Sequence, residues 1–86
     1  MKMKNFFDEG YCYRVAILEA EPGTTINRCI EEALNYAILN EDTIDCVEFE
    51  FFNRIVRIRK NSDPSFIYKM YRESHFGDSR KLVIGP

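Results

Sequence analysis

The chain has 86 residues and a formal net charge of −2, with 45% hydrophobic and 30% charged residues. This length provides one globular domain with a modest core, and the composition is ordinary for such a domain. No apolar run approaches the roughly 20 residues that span a bilayer, and the start has no apolar stretch of signal-peptide length. We therefore expect a single cytoplasmic domain over residues 1–86, with residues 1–10 either flexible or packed against it.

Cysteine and histidine residues show no pattern of a metal or catalytic site. Cys12, Cys29 and Cys46 form no CxxC pair, and the single histidine, His75, has no partner at metal-ligand spacing. Cysteines within strands and helices usually behave as small buried apolar side chains. The sequence therefore predicts no metal site, no cofactor and no catalytic residues, and we expect the protein not to be an enzyme.

The first predicted strand and helix follow from residue type and spacing. Residues 11–18 are rich in aromatic and β-branched residues, which favour a strand. The expected core face is Tyr13, Val15 and Ile17, with Cys12, Arg14 and Ala16 opposite. Thr24 or Thr25 then caps a helix that runs to about residue 40, because apolar residues recur at helical spacing.

A β-hairpin in the middle of the chain is the clearest pattern. Residues 46–52 alternate apolar and acidic side chains, and residues 55–60 alternate apolar and basic ones. A two-residue turn at Asn53-Arg54 would join them. That turn places Glu50 opposite Arg57 and Glu48 opposite Arg59, as two cross-strand ion pairs. The core face of the hairpin would then be Val47, Phe49, Phe51, Val56 and Ile58.

The remaining elements complete a fold class. Asp63 before Pro64 predicts the start of a second helix that runs to Glu73, and residues 80–84 predict a short last strand. The order β-α-β-β-α-β predicts an α+β domain of the ferredoxin-like type, an antiparallel sheet with two helices on one face. With the third strand between the first and second, the strand order would be 4-1-3-2.

The face of this sheet away from the helices is the candidate binding surface. It would carry Arg14, Glu48, Glu50, Phe52, Ile55, Arg57 and Arg59. Apolar side chains exposed beside charges are typical of interaction sites. We therefore expect a non-catalytic protein-binding module, and a homodimer that pairs Phe52 and Ile55 across a two-fold axis. In the competing interpretation, Phe6 and Phe7 fold back over those two residues within one chain.

Two other functions stay open. Residues 51–86 hold eight basic and three acidic side chains, so nucleic acid could bind Arg54, Arg57, Arg59, Lys60, Arg80 and Lys81. Against this, the strand over residues 55–60 has no aromatic side chain on which a base could stack, and the hairpin sets acidic residues beside the basic ones. The second alternative is a small-ligand or nucleotide-binding regulatory domain, whose pocket between subunits would leave no motif.

One resemblance covers roughly residues 22–71. Pro22-Gly23-Thr24-Thr25-Ile26, the helix through Glu32-Ala33-Leu34, the strand Val47–Asn53, the returning strand Ile55–Ile58 and the helix start Ser62-Asp63-Pro64 resemble small proteins of bacteriophages and prophages. Those proteins have Phe-Asn-Gly at the turn, where this chain has Phe52-Asn53-Arg54. The resemblance implies no activity. It implies a context, the host cytoplasm, in which small phage proteins often bind and inhibit host proteins, including defence systems.

Overall fold

The computed structural model describes residues 1–8, 14–74 and 82–85. It is an α+β domain with these elements: β1 (Lys2–Asp8), β2 (Arg14–Glu19), α1 (Ile26–Leu39), β3 (Cys46–Phe51), β4 (Arg54–Ile58), α2 (Pro64–Glu73) and β5 (Leu82–Ile84). Several residues used in the sequence predictions lie outside the described ranges: Tyr11, Cys12, Tyr13, His75, Arg80 and Lys81. The α+β class is confirmed, and β1 is a strand that the sequence did not predict.

The sheet is mixed, and its strand order differs from the ferredoxin-like prediction. The five strands lie side by side in the order β1-β2-β3-β4-β5. β2 pairs in parallel with β3, and β4 with β5, whereas the other two pairs are antiparallel. The predicted order is wrong because both edges of β2 are already paired, one with β1 and the other with β3. The last strand therefore pairs with the free edge of β4.

Both helices begin where the sequence predicted. Thr25 Oγ1 accepts the backbone N–H of Arg28 at 3.3 Å, which satisfies a free donor in the first turn of α1. Asp63 Oδ1 accepts the backbone N–H of Ser65 at 3.0 Å, and Pro64 is the first residue of α2. These caps fix the points at which the chain leaves β2 and β4 to cross over the sheet.

The two helices pack against each other and against one side of the sheet, which we call the covered face. Its strand residues in the core are Ala16, Leu18, Val47, Phe49, Val56, Ile58 and Ile84. The other side, which we call the open face, carries Val15, Ile17, Cys46, Glu48, Glu50, Ile55 and Arg57. No helix of the described ranges lies on it. The predicted core of the hairpin is confirmed at four positions, and Phe51 is partly buried beside them.

The predicted faces of the first strand are inverted in the structure. Ala16 and Leu18 point to the covered face, whereas Val15 and Ile17 lie on the open face. A run of consecutive apolar residues contains no alternation from which the buried side could be predicted. The small side chain of Ala16 lies in the same core cluster as Ala33 and Ala37 of α1, which permits a close approach of helix and strand.

The hairpin register differs from the prediction by two residues. The turn residues are Phe52 and Asn53, both with positive φ, so Phe51 pairs with Arg54 and Glu48 with Arg57. Because a shift of two residues preserves the alternation, the same side chains still face the core. Asn53 tolerates this conformation, whereas a bulky residue such as Phe52 rarely adopts it.

The shift also places Arg54 inside the protein. Its side chain is only 1% exposed and extends on the covered face at the end of the hairpin. The Arg54 Nε donates to Ser74 Oγ at 3.0 Å, directly after α2. Next to it, the rings of Phe51 and Tyr71 meet edge to face at 5.9 Å, and burial raises the pKa of Tyr71, an effect that the Arg54 charge partly offsets. Arg54 thus joins the hairpin to the end of the second helix.

Candidate protein-interaction surface

An ion pair lies in the middle of the open face. Arg57 Nε donates to Glu48 Oε2 at 2.8 Å, and both side chains are partly buried. The predicted pairs, Glu50 with Arg57 and Glu48 with Arg59, are wrong, because the turn is one residue earlier than expected and the pairing register is therefore shifted by two residues. Glu50 instead lies opposite Ile55 and is exposed.

Apolar and acidic side chains meet where the hairpin ends. Ile55 is partly exposed on the open face, and Val83 of β5 lies beside it and is exposed. Phe52 extends from the turn and is 72% exposed, with its ring edge to face on Phe51 at 4.8 Å. We call Glu50, Phe52 and Ile55 the hairpin tip. All three were predicted to belong to the binding surface; Glu50 and Ile55 are cross-strand partners, and Phe52 belongs to the turn that joins their strands.

Arg14, a predicted member of the surface, lies elsewhere. It is two residues before Ala16 and therefore lies on the same side of β2, and its side chain reaches across to the start of β3. Asp45 accepts both the backbone N–H of Arg14, at 2.6 Å, and its guanidinium, at 3.3 Å, while the Asp45 N–H donates to the Arg14 carbonyl at 2.8 Å. The hydrogen bond from the Arg14 side chain, followed by the one from its backbone, lowers the pKa of Asp45. Arg14 therefore joins the starts of two parallel strands.

Arg59 also lies away from the hairpin tip. It follows the last residue of β4, and its backbone N–H donates to Ser62 Oγ at 2.9 Å. Together with Lys60 and Glu41 it lines a charged depression at the far end of the sheet, where the Lys60 Nζ and Glu41 Oε2 are 3.3 Å apart. Of the seven predicted residues, Arg14 and Arg59 thus lie at the far end of the sheet, away from the other five.

The predicted binding surface omitted several apolar residues that lie on the open face. Val15 and Cys46 are buried there side by side, and Phe7 and Val83 are exposed near its two edges. The apolar character of Phe7 was visible in the sequence. Its side could not be predicted, because the register of β1 shifts between Met3 and Asn5 and the alternation is broken there.

The described basic residues of the nucleic-acid alternative do not form one surface. Arg54 is buried, Arg57 is bonded to Glu48, and Lys60 faces Glu41. Arg80 and Lys81 lie outside the described residues. A nucleic-acid groove requires several cations along one track, so the described part of this set does not favour that function.

The small-ligand alternative has a cavity but few polar groups to direct a ligand. A cavity of about 390 Å³ lies beside the start of α2, between the apolar side chains of Phe66, Ile67 and Met70. At its rim, Asp63 already accepts a backbone N–H, and so does Ser62. Binding sites for small molecules normally add polar groups that fix the orientation of the ligand.

The chain matches no protein-family model, no curated protein and no solved structure. Within residues 1–8, 14–74 and 82–85, no group of three or more His, Cys, Asp and Glu side chains could hold a metal ion. Burial raises the pKa of the Cys29 thiol, which disfavours the nucleophilic thiolate. None of the helices in the described part of the chain has the length and apolar character that a bilayer crossing requires.

Proposed function

We propose that the protein is a non-catalytic protein-binding module that contacts its partner through the hairpin tip. The observation that carries this proposal is Phe52. Its backbone adopts a φ of 45°, a left-handed conformation that costs about 1–2 kcal/mol for a residue with a side chain. An asparagine or glycine at this position would reduce that cost.

The gain from the Phe52 side chain within the chain itself is small. Its ring contacts Phe51 edge to face, a contact worth about 0.5–1.5 kcal/mol, and most of the ring remains in solvent. A strained and exposed aromatic residue therefore contributes little to folding. It has the properties of an interface anchor, since aromatic side chains that enter a partner's pocket dominate binding energies.

The surroundings of Phe52 fit the same role. Ile55 and Val83 add apolar area, whereas Glu50 and the pair of Glu48 with Arg57 supply a polar border. Protein interfaces commonly combine an apolar centre with a polar rim. The resemblance to small phage and prophage proteins favours a host protein as the partner, and the proposed consequence of binding is inhibition of that protein, as in anti-defence factors.

The test uses Phe52→Asn, with Phe66→Ala as the control. Phe66 is 56% exposed on α2, so the control removes another exposed ring away from the hairpin. Tagged full-length protein is used to isolate partners from host lysate, with and without nuclease. We expect a stoichiometric protein partner that survives nuclease, is retained by Phe66→Ala and is lost with Phe52→Asn.

A melting curve separates binding from folding in this test. Relief of strain should leave the melting temperature of Phe52→Asn unchanged or raise it by up to about 5 °C. Retention of the partner by Phe52→Asn would overturn the role of the hairpin tip. Recovery of nucleic acid alone, released at about 0.3 M salt, would favour the nucleic-acid alternative.

A further inference from the structure

Strand β1 forms an outer edge of the sheet, and exposed apolar side chains concentrate along it. All seven residues of β1 are exposed, including Met3, Phe6 and Phe7. Soluble proteins normally protect such an edge, because a long exposed apolar strand pairs readily with another chain. We propose that β1 is the dimer interface of this protein, where it pairs antiparallel with β1 of a second copy.

The neighbouring flank of α1 extends the apolar strip. The Met1 amino group lies 3.3 Å from Glu32 Oε2, and the Tyr36 hydroxyl donates to Met3 Sδ at 3.5 Å. Glu32 and Tyr36 therefore mark the side of α1 next to β1. Leu39 is three residues further, on the same side by helical spacing, and is 82% exposed. In a joined sheet, this flank of each copy faces the flank of the other.

Two copies of β1 have complementary side chains when they pair in one particular register. From Asn5 to Asp8 the strand pairs regularly with β2, and Phe6 lies on the covered side whereas Asn5 and Phe7 lie on the open side. A two-fold axis at Phe6 places Phe6 opposite Phe6 and Asn5 opposite Phe7, so each pair shares a side. By spacing along the strand it also brings Lys4, where the pairing with β2 shifts, next to Asp8 of the second copy, an opposite-charge pair. An axis at Phe7 would set Phe6 against a carboxylate instead.

A hydrogen bond between the Phe6 backbone and the Asn5 side chain supports the same register. The N–H of Phe6 donates to Asn5 Oδ1 at 2.8 Å in an exposed position. An antiparallel pair centred on Phe6 replaces this acceptor by the carbonyl of Phe6 in the second copy, twice by symmetry. Asn5 thus occupies the donor that the second strand would use, and it competes with dimer formation.

Sedimentation equilibrium of the full-length chain tests the proposal over about 1–200 µM. We expect a reversible dimer with twice the monomer mass of 10.2 kDa. Phe6→Lys should weaken it roughly a hundredfold, because each copy loses an aromatic contact and gains a repelling charge. Asn5→Ala should lower the dissociation constant about tenfold, since it frees the edge donor. Phe66→Lys, the control on α2, should leave the dimer unchanged.

Leu39→Lys is a second variant in case Phe6→Lys does not fold. Leu39 is too exposed to contribute much to folding, and its replacement by lysine should still weaken the dimer several-fold. A monomeric wild-type chain at the highest concentration overturns the proposal. The proposal is also overturned if the Phe6→Lys variant still dimerises with unchanged affinity. It is overturned as well if Phe66→Lys or Phe52→Asn dissociates the dimer. No gain of affinity with Asn5→Ala overturns the strand pairing. Binding of a partner protein by the hairpin tip is measured in a different experiment, so the dimer proposal and the proposed function can each be wrong without the other.

Discussion

The covered and open faces of the β3–β4 hairpin use alternate residues of the same two strands, and they differ in almost every physical respect. Val47, Phe49, Val56 and Ile58 are essentially inaccessible, whereas the intervening side chains form an ion pair and a partly exposed apolar area. The covered face thus supplies most of the buried core of the hairpin. The exposed positions of the open face can vary in composition at little cost in stability, and so they are available for recognition.

The largest test of this comparison is a matched pair of alanine substitutions. Phe49→Ala should destabilise the protein by roughly 3–5 kcal/mol, because it leaves a cavity in the covered core. Ile55→Ala, six residues later and on the open face, should destabilise it by about 1 kcal/mol or less. Urea unfolding of both variants measures the difference. Equal losses would mean that the open face is buried in solution.

The end of β5 offers a second test on the covered side. Gly85 has a φ of 106°, and a Cβ there would clash with the carbonyl oxygen of Arg57 and touch Ile67. Gly85→Ala should therefore destabilise the protein by about 2–3 kcal/mol. Gly23→Ala is the control, because Gly23 also has a positive φ, 83°, but open space around it. That variant should lose only about 1 kcal/mol, and a similar loss for both would place β5 away from β4.

The ion pair of the open face should contribute little. A double-mutant cycle with Glu48→Ala and Arg57→Ala should give a coupling energy of about 0.5–1 kcal/mol, since the pair is partly buried and cross-strand. The pair Arg28–Glu32 on α1, which is more exposed and has the less favourable order of charges, should give a smaller coupling energy. A coupling above about 2 kcal/mol would show that the open face also stabilises the fold.

The smallest effect concerns acid sensitivity at the far end of the sheet. Hydrogen bonds from Arg14 lower the pKa of Asp45 in the folded state, so its carboxylate stabilises the protein at pH values above its unfolded pKa of about 3.9. That stability is lost as the pH falls from about 4 through the folded pKa. Asp45→Asn should therefore show a flatter decline of the urea midpoint below pH 4 than the wild type. An unchanged decline would contradict the contact.

Much of the fold follows from local patterns in the sequence. Thr25 and Asp63 cap the helices as expected, because capping depends on neighbouring residues alone. The core face of the hairpin also follows, since alternation survives a shift of two residues. The register does not follow, because no local rule favours Phe52 in a left-handed turn or Arg54 in a core.

The sheet order could not be predicted for a different reason. It depends on which strands compete for each free edge, and β1 was not recognised as a competitor. Its apolar residues do not alternate, because the pairing with β2 shifts after Met3. The candidate surface was accordingly predicted in part. The hairpin tip lies at one end of β3 and β4, whereas Arg14 contacts the distant Asp45 and Arg59 lies at the opposite end of β4.

The two parallel strand pairs have a topological consequence. β2 and β3 run in one direction, β4 and β5 in the other, and both crossovers step the same way across the sheet. With both helices on one side, the two crossovers must have opposite hands, so one of them is left-handed. Right-handed crossovers dominate because twisted strands favour them. With only three residues, β5 carries little twist, and this end of the sheet is where the preference is weakest.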